Sequence, residues 1–172
     1  MLGRLRIAQG RQAEALSILR ECWQICLERG IVQMYPILAA RMGEACLALG
    51  DTRAAAEILS KPERLDVPLG ENAFGWGWLF VVQGRAFLAV GDLAQARISG
   101  KRALALAEER GEPPQQAHAL QLLGEASLAK GDRAEAQSYL ERALAIATKC
   151  DMRPLIDRCR PALEAARTSP AT

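Results

Sequence analysis

The sequence predicts an all-α fold, a single solenoid of stacked antiparallel helix hairpins, and three observations carry that prediction. Half of the 172 residues are hydrophobic while aromatics make up 5%, an Ala- and Leu-rich balance that suits close-packed helices better than a β-sandwich. Gly3, Gly43, Gly84 and Gly124 recur at intervals of 40, 41 and 40 residues. Each is followed seven residues later by Gly10, Gly50, Gly91 or Gly131, and twelve residues later by Ala15, Ala55, Ala96 or Ala136. Self-similarity at such a period marks supersecondary units that bury their apolar faces by stacking.

The elements follow from this register. Met42 to Asp51, Gly84 to Asp92 and Leu123 to Asp132 each read as a helix ending in a turn. The second glycine suits the left-handed residue that closes a helix, and the Asp after it is a good N-cap for the next. The first glycine lies inside a helix, where it costs about 1 kcal/mol relative to Ala, so its recurrence predicts a close approach to the partner helix at the Ala twelve residues on. The expected helices are a truncated one at 2–9 with its partner at 12–29, then 31–49 with 52–60, 72–90 with 93–110, 114–129 with 133–149, and a last one at 154–166. Pro113 and Pro114 open a helix without loss, because the first turn does not use their missing N–H groups. Leu120, Leu123, Leu140 and Ala143 form the expected seam. Pro62 is expected to end the helix begun at 52, and Pro161 to interrupt the last one. The irregular stretch Lys61 to Glu71 reads either as a recognition loop or as a degenerate repeat. One domain spans 1–172, with a partial first repeat at 1–30, repeats at 31–71, 72–111 and 112–150, and a capping helix and tail at 151–172. The first hairpin begins only two residues before Gly3, which predicts an uncovered apolar face on helix 12–29 and a piece of a longer protein, or a homodimer through that face.

Charge and motif content narrow the function classes. Lys and Arg number 22 against 20 Asp and Glu, and their scatter leaves no basic footprint for nucleic acid or for a membrane surface. No apolar run reaches the roughly 18 residues of a spanning helix, and the first residues lack the core of a signal peptide, so a cytoplasmic location is expected. Five cysteines, odd in number and placed in or beside helices, suit a reducing compartment. With one histidine and no nucleophile, metalloprotease or phosphate-cradling motif, the chain is not expected to be an enzyme, nor to hold a cofactor or metal. Cys22 and Cys26 lie one turn apart but lack a second pair of ligands, and they read as small core residues.

The paired glycines with the Ala twelve residues on resemble the tetratricopeptide repeat, whose two antiparallel helices pack through a Gly in the first and an Ala in the second. That resemblance implies a right-handed superhelix whose first helices line a concave surface used for protein–protein interaction. The period of about 40 is similar to the longer repeats of large bacterial ATPase-linked transcriptional regulators of the maltose-regulator type and of ATPase-linked nucleotide cyclases, as is the segment Asp151 to Cys159. Chaperone-tail binding is not implied, because Ala40, Val81 and Gln121 stand where the family's basic and amide clamp would be.

Five aromatic residues fall within fourteen positions. Helical spacing assigns Trp76, Phe80 and Phe87 to the core, and Phe74, Trp78, Val81, Arg85 and Leu88 to a second stripe that the resemblance places on the concave side. An indole beside an arginine suits ligand recognition; Trp78 reads equally as filler against the next first helix. The same stripe selects His118, Gln121 and Glu125 in the following repeat, and Gln33, Ile37 and Glu44 in the preceding one. His118 reads either as a functional group or as an ordinary exposed histidine. The candidate groove is therefore Phe74, Trp78, Arg85, His118, Gln121, Glu125 and Glu44, expected to hold a peptide or partner helix, including one from the chain's own parent protein. A small metabolite controlling an attached ATPase or output domain is the alternative occupant, and a dimerisation arm the alternative role.

Overall fold

The structure, a computed structural model, describes residues 11–64 and 75–168. Among these residues eight α-helices follow one another: α1 (Gln12–Glu28), α2 (Tyr35–Ala48), α3 (Thr52–Arg64), α4 (Trp76–Ala89), α5 (Leu93–Glu109), α6 (Pro113–Lys130), α7 (Arg133–Lys149) and α8 (Arg153–Arg167). A short 3-10 turn, Val32–Met34, precedes α2. Helix α2 thus opens four residues later than its expected start at 31, because Pro36 sits in its first turn, where a missing N–H costs nothing. The expected helix at 2–9, the start of the one at 72, and most of the stretch 61–71 lie outside the described residues.

Turn chemistry ends each helix as the sequence requires. Gly50, Gly91 and Gly131 adopt φ of 77°, 80° and 87°. The amides of Asp51, Asp92 and Asp132 then donate back to the carbonyls of Cys46, Phe87 and Ser127, each at 2.9 Å. This is the left-handed closure that uses up two otherwise orphaned carbonyls. Each Asp carboxylate in turn accepts from the amide three residues on, Ala54 at 2.9 Å, Gln95 at 3.0 Å and Glu135 at 3.1 Å.

Two prolines behave differently from expectation. Helix α3 runs through Pro62 to Arg64, and α8 runs through Pro161 to Arg167. In α8 the carbonyl left without its donor belongs to Asp157, and both residues are exposed, so the lost bond falls on the solvent side of the helix, where it costs least. Packing of Leu155, Cys159, Leu163 and Ala166 on one side holds the helix together across the proline.

Each helix packs on its neighbours in sequence, and among the described residues the only close backbone approaches that skip a helix join α2 to α4, α4 to α6 and α6 to α8. The first helices of the hairpins therefore form an inner layer, and the second helices an outer one that splays apart. Burial matches: α6 is buried on several sides, whereas α7 buries the single stripe Ala136, Leu140, Ala143 and Ala147. In the outer layer, long side chains bridge the gap between α5 and α7, where Arg97 holds Glu135 by two hydrogen bonds and Ser127 donates to the same carboxylate at 2.8 Å.

Close approach at the helix-interior glycines is confirmed, and at Gly84 and Gly124 the expected Ala takes part through its carbonyl while a leucine supplies the nearest side chain. A Cβ at Gly124 would lie 2.6 Å from Leu140 Cγ, and one at Gly43 would lie 2.7 Å from Leu59 Cγ. The gap is thus filled by the Leu sixteen residues on, while the Ala at twelve contributes its carbonyl, 3.4 Å away at Ala136. In the middle hairpin that Leu is replaced by Gly100, and Leu122 and Leu123 of α6 occupy the space beside Gly84 and Gly100. Here the inter-repeat contact supplies the volume that the hairpin lacks.

Trp76 and Phe80 are core residues, 5.4 Å apart between ring centres. Phe87 is only half-buried, against expectation, because it falls in the last turn of α4 where the stack opens to solvent. Cys26, Cys46 and Cys159 are buried free thiols, and burial pushes the Cys159 thiol up to about 11. Cys22 is exposed rather than in the core; the buried position on that face of α1 is Trp23, whose ring stacks on Tyr35 at 4.9 Å. Ile25, Leu27, Ile31 and Met34 leave large apolar surface exposed at the end of α1 and in the following turn. Among the described residues no helix is long and apolar enough to cross a membrane.

Candidate functional site

The repeat register sets one residue from each hairpin at equivalent places on the inner layer. Six residues before each interior glycine stand Ile37, Trp78 and His118, and one residue after it stand Glu44, Arg85 and Glu125. Since α2, α4 and α6 pack side by side, these two rows run across the helices and bring together five of the seven groove residues expected from sequence, with a sixth, Gln121, beneath them. The seventh, Phe74, lies outside the described residues.

Trp78 is the centre of the cluster. Its indole Nε1–H donates to Glu44 Oε1 at 3.1 Å, and Glu44 accepts from Arg41 through its other oxygen at 2.7 Å. The guanidinium carbons of Arg41 and Arg85 lie 5.6 and 5.5 Å from the indole ring centre, within cation–π range. His118 meets the indole edge-on, with centroids 4.8 Å apart. Arg85 donates to Gln121 Oε1 at 3.3 Å, and the Gln121 amide donates to Glu125. A connected polar chain thus crosses three helices from Arg41 to Glu125.

Burial tunes these groups. The Arg85 guanidinium is pulled down to about 10, first by burial and then by the charge of Arg158, with Glu125 and Glu44 opposing. His118 is pushed down to about 3 by burial, with Arg85 and then Arg158 adding to it. The Glu125 carboxyl is raised by burial, against the pull of Arg85, the Gln121 hydrogen bond and Arg158. At neutral pH His118 is therefore an uncharged ring between cations, and its Nδ1 is buried with no hydrogen-bond partner among the described residues.

Two expectations change. His118 is largely buried against Trp78, so it is not an ordinary exposed histidine. Gln121, at 1% exposure, lies beneath the groove rather than in its lining, and Val81 is fully buried. Both sit three residues before the glycine, on the flank where consecutive first helices touch.

An open cleft of about 290 Å³ lies beside Trp78. Ile37 and Arg41 of α2, Gly75 and Gly77 at the start of α4, and Gln115 and His118 of α6 form its walls. Arg110 and Glu112, from the turn between α5 and α6, also line it. Sequence reasoning missed Arg41, Arg110, Glu112 and Gln115. The spacing of Arg41 three residues before Glu44 is a helical ion-pair signal that identifies it; the other three carry none, since stacking of hairpins brings their turn to the cleft. Among the described residues no group of three His, Cys, Asp or Glu side chains is placed to hold a metal ion. What the cleft offers chemically is recognition: an indole face, apolar Ile37, and hydrogen-bonding groups of both signs.

Residues 78–149 match the tetratricopeptide repeat family model, a span from Trp78 in α4 to the end of α7. With eight helices and no strand among the described residues, the chain is an all-α, tetratricopeptide-like solenoid. Repeats of this kind generally mediate protein–protein interaction and are typically non-catalytic. No curated protein matches the chain.

Proposed function

We propose that this chain is a non-catalytic interaction module that holds a segment of a partner protein against its inner layer, with the Trp78 cleft as the anchor. The observation that carries this reading is that Trp78 is oriented rather than used as filler. Its N–H is tied to Glu44 and its ring is flanked by Arg41 and Arg85, and although one side packs on the core it is only partly buried and lines the cleft. Rigid aromatic anchors of this kind carry most of the energy at protein interfaces. The cleft is open along the groove, which favours a peptide or helix over a small metabolite, since small ligands favour pockets that enclose most of their surface. The 40-residue period and the Asp151 to Cys159 segment support placing the module in a bacterial signalling or transcriptional regulatory protein, with a partner segment or the parent protein's own domains in the groove.

Trp78→Ala is expected to weaken partner binding by roughly thirtyfold, the scale of an interface hot spot, with helical content by circular dichroism unchanged. Trp78→Phe keeps the ring but loses the bond to Glu44 and is expected to fall between the two. Unchanged affinity in both variants, measured by isothermal titration, would contradict the assignment.

A further inference from the structure

We propose that the occupant of the inner layer is an extended acidic segment, with an apolar or aromatic side chain in the Trp78 cleft and a carboxylate about four residues away on Arg158. This rests on the binding role proposed above and specifies its chemistry. The period that relates Ile37, Trp78 and His118 leads forty residues further to Arg158 on α8, and α8 packs against α6 as α6 packs against α4. Arg158 is thus the fourth member of the row. The Trp78 and His118 rings are 4.8 Å apart and Arg158 stands one helix further, a step of about 8–10 Å, so an extended chain rising about 3.3 Å per residue spans the distance in about four residues.

The charges along the row decide the sign of the partner. Glu44 is engaged by Trp78 and Arg41, and Glu125 by Gln121 and the facing Arg85. His118, between the two ends, is neutral and neither attracts nor repels charge. Arg158 is exposed, its Nε donates to the Pro154 carbonyl at 3.3 Å, and it makes no ion pair among the described residues. The repeat register and the packing of α8 on α6 set it on the same face, and its positive charge contributes to the lowered Arg85 and His118 and opposes the raised Glu125. The inner layer therefore ends in a cation whose complement is a carboxylate, while its anchoring cleft is lined by Trp78 and Ile37. A segment that satisfies both is amphipathic along its length, apolar at one point and acidic two repeats away.

The test is an array of short synthetic peptides on a neutral polar background, each with one Trp or Leu. A Glu or a Lys is placed about two, four or eight residues from it, on either side. Peptides with Glu at the middle spacing are expected to bind at least about fivefold more tightly than their Lys counterparts. Arg158→Glu is expected to invert that preference, and Arg158→Lys to retain it; Arg158 is exposed, so both variants fold. If Trp78→Ala abolishes binding but neither spacing nor charge matters, the acidic-segment inference falls and the groove reading stands. If no peptide binds, or binding survives Trp78→Ala, both fall.

Discussion

Acidification from pH 7 to pH 4 is expected to cost the fold roughly 3 kcal/mol through His118 alone, and His118→Gln is expected to remove that part of the loss. The unfolded chain takes up this proton near pH 6.5, while the folded chain, which holds the ring at about 3, does so only at much lower pH. Protons therefore favour the unfolded state throughout this window. The stabilising contribution is complete above pH 6.5 and is lost as pH falls towards 3. Burial against Trp78 is the main cause, and the cations Arg85 and Arg158 add to it. Glu125 works in the opposite direction, because its folded carboxyl takes up a proton more readily than the unfolded one, and it offsets part of the loss in both proteins. The comparison is made by urea titration of the parent and His118→Gln chains at pH 7 and pH 4. Equal losses in the two would show that His118 titrates as freely in the fold as out of it.

Leu140→Ala is expected to cost about 3 kcal/mol, and Gly124→Ala about 1 kcal/mol, with the double variant less destabilised than the sum by at least about 1 kcal/mol. Leu140 is fully buried and occupies the space that a side chain at position 124 would need, with its Cγ 2.6 Å from where that Cβ would stand. Removing Leu140 leaves a cavity. Adding a methyl at 124 alone overpacks the same place, although the gain in helix propensity of about 1 kcal/mol offsets some of that cost. Together they partly exchange one volume for another. Chemical denaturation of the four proteins checks the coupling, and strict additivity would mean that the two residues do not share the gap.

How much of this was legible depends on the distance over which each feature is decided. The Gly–Asp turns at Gly50, Gly91 and Gly131 are settled within a few residues, and so their places and caps could be read directly. Pro62 and Pro161 misled because their cost is local, whereas the helices they sit in are held by partners elsewhere, as Leu155 and Leu163 hold α8. The helix-interior glycines announced a close approach, yet sequence could not tell that Leu140 rather than Ala136 fills it, since that depends on how far one helix has slid along the other.

The inner rows were legible from period alone, which is why Glu44, Arg85 and Glu125 were chosen together, as were Trp78 and His118. Depth was not. Gln121 shares its helix and almost its face with His118, and only the stacking of neighbouring first helices separates a buried residue from one that lines a cleft. Arg110 and Glu112 arrive from a turn that has no periodic signature. Arg158 was within reach of the period, one step beyond His118, but Glu164 stands where the next glycine would fall, so the last helix read as a cap and the row was not carried onto it.

The most direct test of the central claim is to follow the three tryptophan indole N–H resonances while titrating the labelled protein with the tightest peptide of the array. The account predicts that the Trp78 signal shifts, together with backbone amides around His118 and Arg158, while the buried Trp23 and Trp76 signals stay in place. Shifts centred instead on the outer layer, around Arg97 and Glu135, with Trp78 unmoved, would contradict it.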